Sequence, residues 1–592
     1  MNEEPKGLGN RSSKGTGYFR SWLYMVAAAF AVLLIATRFL PVGPWGFEDW
    51  LLASLLMLGA SLATATVLLG VWLLGRWLCR GRNLKRVGYA CACLISLILL
   101  FYAEEDLRGW LAWSHFKHKW ETKGEHFDLS RVVPRAVPDD ENFAMTDIAF
   151  TSYGQALTRD GKPIPPGQRD NQFVVRMRMP LAHDFPGQKD LAGDRVRETF
   201  TSLEGWQRYY RRLAEETNDF PVSAQMQSPA ADVLLALGRY DAVIEELRAA
   251  NRLSSSRYPV NYDSESPWAI LLPHLAPLKS CAQVLQLRSA AELQAGQPEK
   301  ALDDVRLALQ LSDKVRAEPF LISHLVRIAM VQIMLQSIWE GLAEQEWADA
   351  QLVALDAELA KFDFLADYLL SMRSELGAQG AEMDRLRLHP ATLMELGGVG
   401  NLDGHGSNPW LPGGFIVRLI PTGWFYQNQL RCARMMLNYY IPLADASRGT
   451  FSADLARRGS AALAAATRFP TPYNLLQRLM LPALGNVAIK FAYAQASVGL
   501  ARTAIALERC RLARGAFPES LNALAPQFID KLPHGVVGGQ PLKYRREANG
   551  MFVLYSVGWN EKDDAGVVAT KKDGYGSLDL QSGDWVWRYP SD

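Results

Sequence analysis

The chain has 592 residues, with 63 Lys and Arg against 62 Asp and Glu, a formal net charge of +1. That balance gives no basic excess for nucleic acid and no acidic excess for a disordered chain. Six cysteines without a Cys-x-x-Cys pair do not make a disulfide scaffold, while 49% hydrophobic residues allow a large core.

The apolar residues are unevenly spread. Three stretches open the chain: Ser21 to Thr37 between Arg20 and Arg38, Trp50 to Gly75 without a charge, and Val87 to Ala103, closed by Glu104, Glu105 and Asp106. A bilayer core takes about 17–25 helical residues, so the expectation is three transmembrane helices over 21–103 behind a cytoplasmic tail, 1–20. The first stretch has a basic leader but is followed by Arg38, Phe39, Leu40 and Pro41 rather than a small-residue cleavage site, and reads as retained. Arg76, Arg80, Arg82, Lys85 and Arg86 crowd the loop before the third stretch. Positive charge in short loops marks the cytoplasmic side. The reading is therefore a cytoplasmic-membrane protein with its N-terminus inside and the bulk of the chain periplasmic or otherwise extracytoplasmic. Trp110, Trp113 and Trp120 follow as an expected interfacial belt. His115 and His118 share a helix face there, beside Glu125 and His126, a pair that could bind a metal but stands in a setting of Lys and Trp that suits headgroups better.

Residues 104–195 read as a juxtamembrane helix and a Pro/Gly-rich linker, with one strand expected over Phe173–Met179 from its alternation. Residues 196–483 read as an α-helical domain. Gly238 and Gly296 each introduce polar residues, then Ala and a hydrophobic residue, then an apolar helical stripe. This grammar resembles tetratricopeptide-type helix hairpins, although the 58-residue spacing of these glycines departs from the regular repeat, and an ordinary helical domain fits equally. Residues 390–425 form a long glycine-rich loop, of the kind often tied to function.

From 484 the chain changes character. A long helix should end at Gly515, followed by strands Pro541–Arg545 and Phe552–Ser556 around the Asn549-Gly550 turn, an acidic loop, and a terminal strand Asp584–Tyr589. Gly515, Phe517, Pro518, Leu521, Leu524, Tyr544, Leu554, Tyr555, Ser556, Gly558, Asp563 and Asp564 follow the pattern of the type II secretion major pseudopilin, and 484–592 resembles its soluble domain. Here that module is C-terminal rather than behind a processed fibre helix. The whole layout resembles uncharacterised membrane-anchored proteins of the planctomycete–verrucomicrobial type. The pseudopilin resemblance implies a calcium site in the acidic loop, with Asp563, Asp564, Asp579 and Asp584 as candidate ligands. Calcium accepts roughly six to eight oxygen ligands in loose geometry, and a solvated turn is the competing reading.

The expected fold class is mainly α: three transmembrane helices, a helical-hairpin domain and a small α+β module. No phosphate loop, dinucleotide fingerprint, G-x-S-x-G or H-E-x-x-H occurs. Ser323 and His324 are adjacent on an apolar helix and point about 100° apart, which does not suit a nucleophile–base pair. His324 and Arg327 share a face and, if buried, need partners such as a carboxylate. Two functions fit: a membrane-anchored scaffold or interaction protein with a protein partner, including an envelope assembly or secretion accessory, or an exported hydrolase with a cleft under the 390–425 loop.

Overall fold

A computed structural model describes residues 22–28, 31, 47–78, 81–154, 157–158, 164–165, 168, 174–181, 191–264, 266–393, 419–548, 550–571 and 577–590. The protein is mainly helical, with small antiparallel sheets towards the C-terminus. It forms two compact units, divided between Glu104 and Glu105.

The first unit contains α1 (Phe47–Leu78) and the beginning of α2 (Gly81–Glu121). Asn83 Nδ2 donates to the Trp77 carbonyl at 2.9 Å and closes the end of α1. Two described helices are long and apolar enough to cross a membrane, Asn83–Glu121 and Leu321–Ala343. Only one of these falls in an expected span. Leu321–Ala343 is mostly buried in the second unit and is a core helix. The second expected span lies in α1, whose described apolar part, Ser61–Trp77, is shorter. Most of the first, with the N-terminal tail, lies outside the described residues.

The second unit starts with the last turns of α2. Trp113 is buried there, edge-on to Phe127 with ring centroids 5.3 Å apart, so it belongs to the protein core and not to an interfacial belt. Short 3-10 turns follow, with Asn142 as their anchor: its side chain accepts from Ala144 N and Arg257 N and donates to the Arg257 carbonyl. The strand expected over Phe173–Met179 does not form. Phe173 lies outside the described residues, and 174–179 contain a turn. With no partner strand among the described residues, the segment lies on a helix instead: Met177 and Met179 are buried, Ser280 Oγ accepts from Met179 N, and Cys281 Sγ donates to the Met177 carbonyl.

The helices then run α3 (Leu203–Glu216), α4 (Pro229–Leu237), α5 (Asp241–Asn251), α6 (Leu275–Gln294), α7 (Pro298–Asp313), α8 (Leu321–Ala343), α9 (Asp349–Leu359) and α10 (Phe364–Leu388). The α6–α7 hairpin turns at Gly296, whose φ of +68° suits glycine, and α7 begins with Pro298, which needs no N–H in a first turn. α6 packs against both α7 and α8. After the segment 394–418, outside the described residues, come α11 (Thr422–Met435), the short ladder β1–β2 (Ala444–Asp445 with Thr450–Phe451), α12 (Ala453–Ala466) and α13 (Leu475–Met480).

α14 (Val487–Arg514) is the central pillar. Its buried alanines, among them Ala492, Ala501 and Ala504, let α8, α10 and the sheet approach closely. It stops at Gly515, in the left-handed conformation at φ +80°. Strands β3 (Lys543–Arg546), β4 (Phe552–Ser556) and β7 (Trp585–Trp587) form one antiparallel sheet, with Tyr544 opposite Leu554 and Leu554 opposite Trp587. β5 (Val568–Thr570) and β6 (Leu578–Gly583) pair separately. One hydrophobic core runs from Trp113 to Tyr589. The C-terminal tail is stitched into it: Trp339 Nε1 donates to the Arg588 carbonyl at 2.9 Å, and Arg588 pairs with Glu198. The expected boundary at 484 therefore falls within a continuous core.

Candidate binding cleft

Gln332 and Gln336 lie one turn apart on α8, and Gln283 and Gln286 lie three apart on α6. Helical spacing puts each pair on one face. These faces, with Tyr493 of α14, Leu578 of β6, the segment 178–181 and the turn-forming segment 192–196, enclose a cleft of about 960 Å³. A strap, 192–201, forms one wall and is fastened to α8. Arg195 N donates to Gln336 Oε1 at 2.6 Å, Gln336 Nε2 to the Thr199 carbonyl at 3.0 Å, and Thr201 N to Glu340 Oε1 at 2.8 Å. Burial pushes the Glu340 carboxyl above its ordinary range, against the opposing pull of its hydrogen bonds from Gln336 and Thr201.

The guanidinium of Arg195 is the electrostatic centre of the cleft. The residue is only 8% exposed. Its Nη2 donates to Gln332 Oε1, to Tyr493 Oη at 3.2 Å and to Ser497 Oγ at 3.2 Å. All three acceptors are neutral, and among the described residues no carboxylate pairs with it. The rings of Tyr493 and Trp587 lie 5.8 Å from Cζ, adding cation–π attraction. Among the described residues Gln332 Nε2 is a buried donor with no acceptor. Asp194, on the rim, stands 3.5 Å from Arg197, whereas Arg178 on the same rim is exposed. The cleft can thus offer one buried positive charge, amide donors and acceptors, and apolar contacts from Met179, Ile333 and Leu578.

The four sequence-designated aspartates lie in the C-terminal loops with separate tasks. Asp584 is buried, and its Oδ2 accepts from the backbone N–H groups of Asp564 at 3.0 Å and Gly566 at 2.8 Å. Burial, with Asp564 and Asp563 nearby, raises its pKa. Asp564 Oδ2 accepts from Asn560 Nδ2, Asp563 Oδ1 from Tyr555 Oη, and Asp579 Oδ1 from Gln581 N. Among the described residues no group of three or more His, Cys, Asp and Glu could hold a metal ion.

Around Ser323 and His324 the structure builds a buried polar chain. Tyr153 Oη lies 2.6 Å from His274 Nδ1, His274 Nε2 lies 2.7 Å from Glu318 Oε1, and Ser323 Oγ donates to Glu318 Oε2 at 2.5 Å. Serine and histidine thus meet opposite oxygens of one carboxylate, an order in which Glu318 and not the histidine is the serine's partner. His324 and Arg327 are fully buried; Asp367 lies beside both, and Arg327 also pairs with Asp313. The proposed hydrolase cleft cannot be placed under the 390–425 loop, since 394–418 lie outside the described residues. Its described flanks, Leu393 and Ile420, line an apolar pocket of about 290 Å³ with Trp424 and Leu475.

Sequence reasoning missed Arg195 because its partners lie on α8 and α14, more than a hundred residues away. The local signal, an Arg beside Asp194 in a Gly-containing linker, is that of a solvated turn. Comparison with protein-family models, with curated proteins and with solved structures finds no match.

Proposed function

We propose that the protein is a membrane-anchored interaction protein, held in the cytoplasmic membrane by its N-terminal apolar helices, with its second unit exported to bind a partner. The observation that carries the anchor is on α2: Leu94, Leu97, Leu99 and Leu100 are 58–66% exposed around an apolar stretch long enough to span a bilayer. Such a row is stable when its surroundings are apolar too. The ends of the stretch supply the orientation, with five basic residues before it and three acidic residues after it.

The second unit supports the same reading. Glu105 is the second residue after the apolar stretch. Tyr473 Oη donates to Glu105 Oε1 at 2.8 Å, and Gly423 N to Asp106 Oδ1 at 2.7 Å. The first of these bonds ties the segment 469–479 to the residues that follow the apolar stretch. That segment exposes Phe469, Leu475 and Leu479, and α2 exposes Leu107, Trp110 and Leu111. Arg468 and Arg478 flank them, suited to lipid headgroups. The interaction role rests on the cleft, whose wall of amides and one guanidinium is equipped to hold a ligand. The buried Ser323–Glu318–His274 order does not support a hydrolase.

Reporter fusions test the anchor and its direction. A fusion after residue 83 is expected to behave as cytoplasmic and one after residue 125 as exported; the reverse pattern overturns the orientation. Alkaline extraction that releases the full chain from membranes overturns the anchor. Purification from native membranes in mild detergent is expected to bring down a stoichiometric protein partner, and a chain that always runs alone argues against the interaction role.

A further inference from the structure

We propose that the cleft beneath the 192–201 strap is a carboxylate-binding site, with Arg195 as its anchor and a short peptide segment as the ligand class that its walls fit. A buried charge is normally paired with an opposite charge, because leaving water is costly and only a counter-charge or a dense set of hydrogen bonds offsets it. Arg195 is buried, yet its acceptors Gln332, Tyr493 and Ser497 are all neutral. Its Nε and Nη1 have no acceptor among the described residues. A carboxylate arriving in the cleft would neutralise this guanidinium one for one and accept its free N–H groups. The contact is charge-assisted and stronger than a neutral hydrogen bond.

The remaining wall bears on what carries the carboxylate. Gln332 Nε2 is a buried donor with no acceptor among the described residues. Gln283 is exposed on the same surface, with both its amide donor and its acceptor available. Side-chain amides match peptide groups, which present a donor and an acceptor together. Met179, Ile333 and Leu578 give apolar ground for side chains. A cavity of about 960 Å³ is at the upper end of the ~300–1,000 Å³ usual for small ligands, roomy enough for several residues of peptide. Arg178, exposed at the rim, adds a second positive charge on the approach. The peptide class rests on the interaction reading above; the carboxylate site does not, and neither depends on membrane attachment.

The test is calorimetric titration of the detergent-solubilised full chain with four probes: succinate, inorganic phosphate, and an acidic tetrapeptide with a free or an amidated C-terminus. The expected result is binding of the tetrapeptides, weaker binding of succinate, and weaker binding still of phosphate. R195Q is expected to weaken peptide binding by about tenfold or more, the loss of a charge-assisted contact. R178E, at an exposed position, is expected to weaken it by several-fold and to preserve the fold by circular dichroism. This second variant keeps the question answerable if R195Q fails to fold. Absence of binding by every probe at millimolar concentration overturns the proposal, as does peptide binding that neither variant alters. Phosphate binding tighter than either carboxylate overturns it in favour of a phosphate site. Succinate binding as tightly as the peptides, with the same loss in R178E, upholds the carboxylate site but overturns the peptide class, which separates failure of the interaction reading from failure of the site.

Discussion

Gly109 and Gly423 hold two backbones together without side chains between them. A Cβ on Gly423 would stand 2.0 Å from the Glu105 carbonyl oxygen, and one on Gly109 would stand 2.5 Å from the Gly423 oxygen. Neither neighbour is a flexible side chain that can swing away. Gly423→Ala is therefore expected to lower stability by ~1–3 kcal/mol, the usual cost of overpacking, read as a fall in the denaturant midpoint at unchanged slope. Glu375 gives a second prediction at this scale. It lies on α10 with no hydrogen-bonding partner among the described residues, and burial pushes its carboxyl from 4.5 up to about 7. A raised acid binds its proton more tightly folded than unfolded, so this group favours folding at low pH. Its contribution falls as pH rises from about 4.5 through 7, reaching a penalty of ~3 kcal/mol at alkaline pH. Glu375→Gln should melt higher than the wild type at pH 8 and almost together with it at pH 5; curves that stay parallel across that range would place the charge in water. Neither position is conspicuous in sequence, because a glycine's close neighbour and a carboxylate's lost solvent are products of tertiary packing. The acidic loop shows the same limit. Its aspartates were legible as a cluster, but the backbone amides of Asp564 and Gly566 that occupy Asp584 were not.

α8 and α10 are joined through a buried ion pair. Arg327, without solvent exposure, pairs with Asp367 of α10 and, at 2.5 Å, with Asp313 of α7, and lies over the rings of Phe362 and Phe364. Asp367→Asn leaves the guanidinium with Asp313 alone and is expected to cost ~3 kcal/mol. An apolar exchange of both partners, Arg327→Met with Asp367→Leu, should recover much of that loss by removing the charge that is hard to bury. Equilibrium denaturation of the single and double variants separates the two; a single variant as stable as the wild type would show that Asp313 suffices. The elements that local chemistry dictates were legible. The C-terminal stop of α14 at Gly515, the strand Phe552–Ser556 and the Gly296 turn all follow from rules acting within a few residues. Those that depend on distant partners were not. The segment 174–179 alternates like a strand, but its neighbour is a helix. The β5–β6 ladder, whose register shifts between Val568 and Thr570, has no strong alternation to announce it.

The division after Glu104 separates one unit whose described apolar side chains are largely exposed from another built around a continuous core. A unit with its own core is expected to fold when expressed as residues 105–592, which makes its affinity for lipid measurable without the spans. The segment 469–479 has an exposed apolar face, with Phe469, Leu475 and Leu479, bordered by Arg468 and Arg478. α13 has the alternation this requires: Leu475 and Leu479 are exposed, whereas Leu476 and Gln477 are buried. If this face rests in the interfacial layer, the fragment should float with vesicles containing anionic lipid. Much of the binding should survive high salt, because apolar burial is not screened while the arginine contribution is. Leu475→Glu with Leu479→Glu should reduce the floated fraction about tenfold, since fully burying one leucine is worth ~1.5–3 kcal/mol. Both side chains are about half exposed, 52% and 54%, so the same substitutions should leave the melting midpoint nearly unchanged. A fragment that stays in the bottom fraction at low salt, with its melting intact, would remove the interfacial role of this face and leave the apolar helices as the whole of the membrane attachment.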